Sequence, residues 1–510
     1  MPFRLFLNSA AEEHNLKKFN SVLFLFFPLF LNCAADAAEE KEYTYEDFKY
    51  SVCVGRGDYS DQLKEKILAK INSGIRLDDQ CFKENMFATI VRRTRSPEFI
   101  SALLKAGANP DLAGADGVTA RMVAVSSKEL KQVEPLLTGN IDFGARLPGG
   151  DTLLLSAFDN KDQSMGQKIL QQNIPADVVN AKGIDGLTLL GRIVTGQIRF
   201  DEKTVRRLAE LGADFNQLTP DGLTLLQKAF FDKKRTGLSG NQDLIKLMLE
   251  LGADVNFKNR YGETALHVMT HYGINDRIFD MVIDRKPDLE QTDAEGNTVL
   301  LALYVNMPGS GEDNRDRILG KLIAAGANVN AVNRDGVSVL AASLIAGAAV
   351  RGRHRAAADL IAAGASASTG FPNGHSILYY AAISKNDSDA EKAVLASGAD
   401  VNARDPQTGM TPLLLAILSE NRSFAEKLID AGADVNLTDK DGRTALMAAV
   451  FHCHSTSLIR KLLRAGADRN VADAQGRKAS DYLEDAFCAI DPRRAGELDT
   501  IRKTLEENSK

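Results

Sequence analysis

The chain is expected to fold as an all-α repeat solenoid, and three observations predict this. Gly398, Gly432 and Gly466 stand 34 residues apart, inside the near-copies GADVNARDPQTGMTPLLLAIL, GADVNLTDKDGRTALMAAV and GADRNVADAQG. A fixed period of that length marks stacked helical units. Within a unit, apolar residues recur at helical spacing, as at Leu413, Ala416 and Ile417. The helices so defined are about ten residues long, too short to persist alone in water, so each must lie against its neighbours in a nearly one-dimensional stack.

Each residue type in a unit has a mechanical job. Thr411 and Thr444 are placed to cap a helix, because a hydroxyl oxygen accepts from an orphan N–H. Pro412 suits the first helical position, where no N–H is needed. A second amphipathic segment runs from Phe424 to Ala431, with Leu428 and Ile429 facing inward. Gly432 ends it, since glycine enters the left-handed region without steric cost. Val435 and Asn436 then lead to a turn at Asp439–Gly442.

This pattern resembles the ankyrin repeat, with Thr264-Ala265-Leu266-His267 the best local match to the Thr-Pro-Leu-His signature. The resemblance implies about twelve stacked helix pairs with short projecting turns. In that family partners meet the turn tips and the inner helices. Carried over by position, the tips are Phe257, Arg260 and Tyr261, then Asn333 and Arg334, then Asp405 and Gln407, then Lys440 and Arg443. The two aromatics beside Arg260 suit interface anchors. The family also uses the signature histidine for structural hydrogen bonds. Most other repeats here carry Leu, Met, Gln or Tyr at that position, so this bond is expected to be mostly absent.

The 510 residues would suggest about three globular domains on length alone. The repeats replace that with one elongated domain. Apolar residues reach 44%, enough for a continuous core. With 62 basic and 68 acidic residues the net charge is −6, which argues against a broad nucleic-acid surface.

Lys17 and Lys18 precede an apolar run from Phe19 to Leu31, and Ala35-Asp36-Ala37 follows. A charged start, a short apolar core and an A-x-A end describe a secretory signal peptide over residues 1–37, cleaved after Ala37 or Ala38. Residues 1–15 do not fit ahead of such a signal, and a start at Leu16 would give Met-Lys-Lys. The 13 apolar residues fall short of the roughly 20 that span a bilayer. A lipid anchor on Cys33 is disfavoured by Asn32 before it. Residues 38–43 read as an acidic linker.

The exported part keeps Cys53, Cys81, Cys453 and Cys488. An even count permits disulfides. Cys453 and Cys488 fall at equivalent positions of adjacent units, within near reach. Cys53 appears late in one helix and Cys81 early in the next, which would set them about 12 Å apart if the helices run parallel. Buried, reduced thiols are the alternative for all four.

Residues 44–75 form a degenerate opening pair, residues 76–481 the repeats and residues 482–510 a C-terminal cap. Repeat ends fall at Gly107, Gly212, Gly252, Gly326, Gly364, Gly398, Gly432 and Gly466, with weaker units near Gly139, Ile174 and Lys286. Extra residues at Phe231–Asn241, Val305–Asn314 and Ala348–His354 read as loops. The segment Glu497–Asn508 carries Leu498, Ile501 and Leu505 on one face, a fitting polar cap.

Sites for chemistry are sparse. His267 and His271 are spaced as metal ligands can be, but no glutamate follows His267 in the H-E-x-x-H manner. His452-Cys453-His454 lacks a fourth ligand at zinc spacing. No phosphate loop or nucleophile elbow occurs. Asp214, Asp254, Asp400 and Asp434 recur with the repeat, so a turn role explains them. The expectation is a non-enzymatic, monomeric scaffold without metal or cofactor, exported to the periplasm or cell envelope. Its partner is another protein, with no nucleic acid and no stable membrane insertion once the signal is removed. A secreted effector binding a foreign or host protein is the alternative, and a metal-dependent enzyme using His452–His454 is a weaker one.

Overall fold

The structure is a computed structural model. It describes residues 44–506 apart from short segments at 55–57, 76, 78–79, 82–83, 128–129, 160–162, 232–241, 273–274, 306–311, 350–355, 369–373, 385–387 and 487–494. The signal-like segment, the linker, Cys488 and most of the three insertions lie outside the described residues. The rest forms two compact units, one up to Ala124 and one from Val125, where the sequence suggests a single continuous domain.

The first unit opens with the helices Tyr45–Val54 and Asp61–Asn72, which bury Phe48, Val52 and Ile67 completely. A short antiparallel ladder follows, Gln80–Cys81 against Glu84–Asn85. Asn85 then caps the helix Met86–Arg93, its Oδ1 accepting from the N–H groups of Phe87 and Ala88. Arg93 and the Tyr59 hydroxyl both donate to the Val52 carbonyl, closing the end of the opening helix. Burial pushes the Tyr59 hydroxyl up to about 12, although Arg93 opposes the shift. Cys53 and Cys81 are bonded, with Cα atoms 5.1 Å apart. The 12 Å expectation placed Cys81 in a helix. It lies instead on the short strand that precedes the helix, so helical rise does not separate the pair.

The second unit is a run of helical hairpins. Inner helices at Ala265–Tyr272, Val299–Val305, Val339–Ala349, Ile377–Ile383, Pro412–Leu418 and Ala445–Phe451 pack each against the next. Thr411 and Thr444 cap their helices as expected, accepting from Leu414 and Met447 N–H groups. Phe424 and Leu428 of the outer helix Arg422–Asp430 are fully buried, while Ile429 is half-buried. Gly432 takes φ +87° and donates to the Ile429 carbonyl, ending that helix. Lys286 adopts φ +51° at the position other repeats give to glycine, which marks its unit as the weaker one. At the C-terminus the helix Ala495–Glu506 packs on Thr456–Arg464 and buries Ile501 and Leu505.

Three kinds of contact join successive repeats. The first is an asparagine ladder. Asn180, Asn216, Asn256, Asn402 and Asn436 each accept, through Oδ1, the aspartate N–H of the following repeat at 2.8–2.9 Å. Glu290 and Asn330 do the same for Asn328 and Ser366. Asp214, Asp254, Asp400 and Asp434 each accept from the asparagine two residues on, which fixes the turn. Among the described residues no rung joins Ser368 to Asp400.

The second is a shingle of turn tips. The side chain of Arg260 lies over Gly222, that of Arg334 over Gly296 and that of Pro406 over Gly374. A Cβ on Gly222 would come within 3.0 Å of Arg260, so the tip needs glycine for space as well as for its φ of +86°.

The third is a side-chain lock at the signature position. His267 accepts from the Thr264 hydroxyl at Nδ1, 2.8 Å away, and donates from Nε2 to the Asn297 carbonyl of the next repeat at 3.0 Å. Gln227 makes the equivalent bond, donating to the Glu263 carbonyl at 2.8 Å and completing a capping box with Thr224. The expectation that glutamine loses this bond is therefore corrected: a carboxamide supplies the same donor and acceptor as a neutral imidazole. Where leucine stands, at Leu301, the buried Thr298 hydroxyl has no partner.

Candidate functional site

The tip residues divide into three groups. Phe257 and Tyr261 expose their rings, by 36% and 55%, and Gln407 is also exposed. Arg260, Arg334 and Lys440 are exposed cations whose backbone N–H groups donate to the preceding tip, at Gly222, Glu295 and Thr408. Asn333, Asp405 and Arg443 serve the turn itself. Asn333 accepts from the N–H groups of Asp335 and Val337. Asp405 is buried, accepts from Thr408 and lies 2.5 Å from His375 Nδ1. Arg443 holds the buried Asp439 and the exposed Asp441. Asp405 is thus no part of the exposed tip surface. Burial would raise its carboxyl, but bonds from Thr408 and the charge of His375 keep it below the usual carboxylate range.

His267 and His454 each bond to a backbone carbonyl of another repeat. His267 has both ring nitrogens engaged, and burial keeps it neutral to lower pH than usual. His454 donates from Nε2 to the Ile417 carbonyl at 2.8 Å, since a carbonyl can only accept. Cys453, between His452 and His454, is buried and disulfide-bonded, and Cys488 lies outside the described residues.

A surface that the tip assignment missed lies on the inner helices. Count from the capping Thr or Ser of each repeat. Take the residue just before the cap, the fourth after it and the seventh after it. The fourth and seventh share a helix face. In the repeats capped by Thr298, Ser338, Ser376 and Thr411, the fourth residues are Ala302, Ala342, Tyr380 and Leu415, all buried. The seventh are Val305, Ile345, Ile383 and Leu418. Val305 and Ile345 are 48% and 41% exposed, and the other two are half-buried. The residues before the cap are Asn297, Val337, His375 and Met410. No Asp, Glu, Lys or Arg occurs in this lane across four repeats.

The lane is bounded at its start by charge. Two repeats earlier the corresponding inner residues are Lys228, held 2.5 Å from Asp221, and before it Arg192. The buried Arg192 guanidinium binds Asp151 at 2.7 Å, Asp185 at 3.1 Å and Asp159 at 3.4 Å, so it joins consecutive repeats. Burial raises the Asp159 carboxyl despite Arg192. Burial pushes the Asp185 carboxyl up, but the hydrogen bonds from Arg192, the Leu187 N–H and Gln197, with the charge of Arg192, together hold it below its ordinary value. At the entrance to the lane, Phe231 and Tyr272 meet edge to face, with ring centroids 5.0 Å apart.

Helical hairpins locked by side-chain-to-backbone bonds define a repeat scaffold, whose working parts are surfaces. Comparison narrows that class. Residues 378–473 match the family model for ankyrin repeats, three copies. The ankyrin repeat protein OPG189 of variola virus is 29% identical over 127 residues, which cover 25% of this chain and 21% of that protein. The human Notch-regulated ankyrin repeat-containing protein is 32% identical over 71 residues, 14% of this chain and 56% of that protein. The chain thus spans between about a fifth and just over half the length of these relatives. The solved ankyrin repeat domain of Bcl-3 aligns with a TM-score of 0.34 and 21% identity, covering 47% of this chain and 99% of that one. Residues 378–473 are thus ankyrin repeats, and the matches support an ankyrin-repeat protein. Such repeats form protein-interaction scaffolds.

Proposed function

We propose that the chain is an exported, non-enzymatic scaffold that presents the inner lane and the neighbouring tips to a protein partner in the periplasm or cell envelope. The observation that carries the reading is the lane itself. Four successive repeats place an apolar residue at the seventh position and no Asp, Glu, Lys or Arg there, at the fourth position or before the cap, although 25% of the chain is charged. Val305 and Ile345 turn apolar side chains to water on successive repeats, which suits contact with another molecule. Export is supported by the signal-like residues 17–37 and by the bond between Cys53 and Cys81, since disulfides persist in oxidising compartments.

A photo-crosslinking residue at Ile345, on the lane, and another at the exposed Arg460, on an outer helix, test the reading in intact cells. A discrete crosslinked protein from position 345 and none from 460 is the expected outcome. Equal crosslinking from both positions would remove the lane as the binding surface. Fractionation of the same cells reports the compartment, and material confined to the cytosol would remove export.

A further inference from the structure

One joint of the second unit is held differently from its neighbours. It lies between the hairpin of Ile377–Ile383 with Ser388–Ala396 and the hairpin of Pro412–Leu418 with Arg422–Asp430. Each hairpin has a turn end, where the chain enters from a tip, and a loop end, where its two helices connect. At the turn end two neutral bonds that recur elsewhere are missing. The asparagine rung lapses between Ser368 and Asp400, while rungs stand on both sides, from Asn330 to Ser366 and from Asn402 to Asp434. The bond between tips lapses as well. Arg260, Arg334, Lys440 and Ala474 each follow a turn Asn or Asp and donate a backbone N–H to the preceding tip. Here that place is taken by Pro406, which has no N–H to give. The polar contact that remains at this end, among the described residues, is the pair of His375 Nδ1 and Asp405, 2.5 Å apart. Both groups are buried there without another partner among the described residues at His375 Nδ1 and Asp405 Oδ2, so parting them leaves two atoms in need of water.

The loop end of the same joint is tied by several bonds. The buried Asn421 carboxamide donates across it to the Ser384 carbonyl and to Glu391 Oε1, each at 3.1 Å. Glu391 is buried too, and Lys427 holds its other oxygen at 2.5 Å. We infer that the array carries a hinge at this joint. The hairpins pivot at the loop end, about Asn421 and Glu391, and fan apart at the turn end when the His375–Asp405 pair opens. The rungs on either side keep the flanking repeats together, so the motion gathers at the joint with the fewest bonds across its turn end. In a stack where each unit touches only its neighbours, a small rotation at one joint carries the whole of the following block with it. The hinge thereby sets the curvature of the stack, and it does so whether or not a partner is bound, independently of the scaffold reading above.

The test measures distances between spin labels on the purified full chain by electron paramagnetic resonance, with the labels carried on unnatural amino acids so that the cysteines are left alone. One label pair, at the exposed Asp335 and Asp441, spans the joint. A control pair, at the exposed Ile184 and Glu295, spans the same number of joints, all with rungs. At about 9 Å per joint both separations come to roughly 27 Å, within reach of the method. The distance distribution across the joint should be at least about twice as broad as that of the control. His375→Phe should broaden it further. Ser368→Asn combined with Pro406→Ala supplies the missing acceptor and the missing N–H, and should narrow it to the width of the control. Equal widths for the two pairs in the native chain, or no narrowing in the double variant, would overturn the inference. An unchanged width in a folded His375→Phe chain would remove the pair as the latch. Where circular dichroism shows that His375→Phe does not fold, the double variant alone decides.

Discussion

His267 and Gln227 perform one task with different titration chemistry. Each donates to a backbone carbonyl of the next repeat, but only the imidazole can take up a proton. Burial lowers the His267 pKa, and the Asn297 carbonyl, Asp293 and Glu263 offset part of that shift. His452 and His454 are lowered chiefly by burial too. The sign follows. Below about pH 6.5 the unfolded chain binds protons that the folded chain refuses, so stability falls as pH drops through that value. His267→Gln should match the native melting temperature near neutral pH and lose less of it on acidification to about pH 5. A steeper loss in the variant would show that His267 is not among the groups responsible. A second decline belongs to Asp473. Burial opposes its ionisation, but the Tyr482 hydroxyl and the Arg477 and Gln475 N–H groups hold it at about 2. Its contribution is present above the unfolded value near 3.9 and is lost as pH falls below that.

Between repeats, the asparagine ladder makes a prediction where it lapses. Ser368 stands where Asn402 and Asn436 stand in later units, and its hydroxyl oxygen lies one bond nearer the backbone than a carboxamide oxygen. Ser368→Asn should let the Asp400 N–H find its acceptor and raise stability by about 1 kcal/mol in denaturant titration. A neutral or destabilising result would mean the two turns sit too far apart for the rung. The caps at Thr411 and Thr444, the glycine stops and the turn aspartates were legible in the sequence because each depends on residues within a few positions. The lane was visible letter by letter, as the seventh residue after each cap. It was not legible as a surface, because exposure depends on which side of a helix its neighbours leave uncovered. Asp405 was misplaced on the exposed tip for a related reason: its side chain bends back into the turn it opens, which position in the repeat does not reveal. The Gln227 lock was missed by treating histidine as the sole residue able to bridge.

At the scale of the whole molecule, the first unit depends on a covalent tie. Cys53 and Cys81 close a loop with a sequence separation of 28, which constrains the unfolded chain by roughly 3–4 kcal/mol on the chain-entropy model. Peptide mapping under non-reducing conditions should recover the two cysteines in one linked pair. Reduction should lower the melting transition of the first unit before that of the second, as hydrogen exchange resolved by segment would report. Two free thiols at these positions in protein purified from its native compartment would refute the tie. The second unit depends instead on many weak rungs, and all the asparagine rungs point the same way: the earlier repeat supplies the acceptor and the later one the donor. Asn470, in the last repeat, consequently stands as an acceptor with its own N–H already anchored to Asp468. Growth by duplication after this repeat would find its docking group already in place.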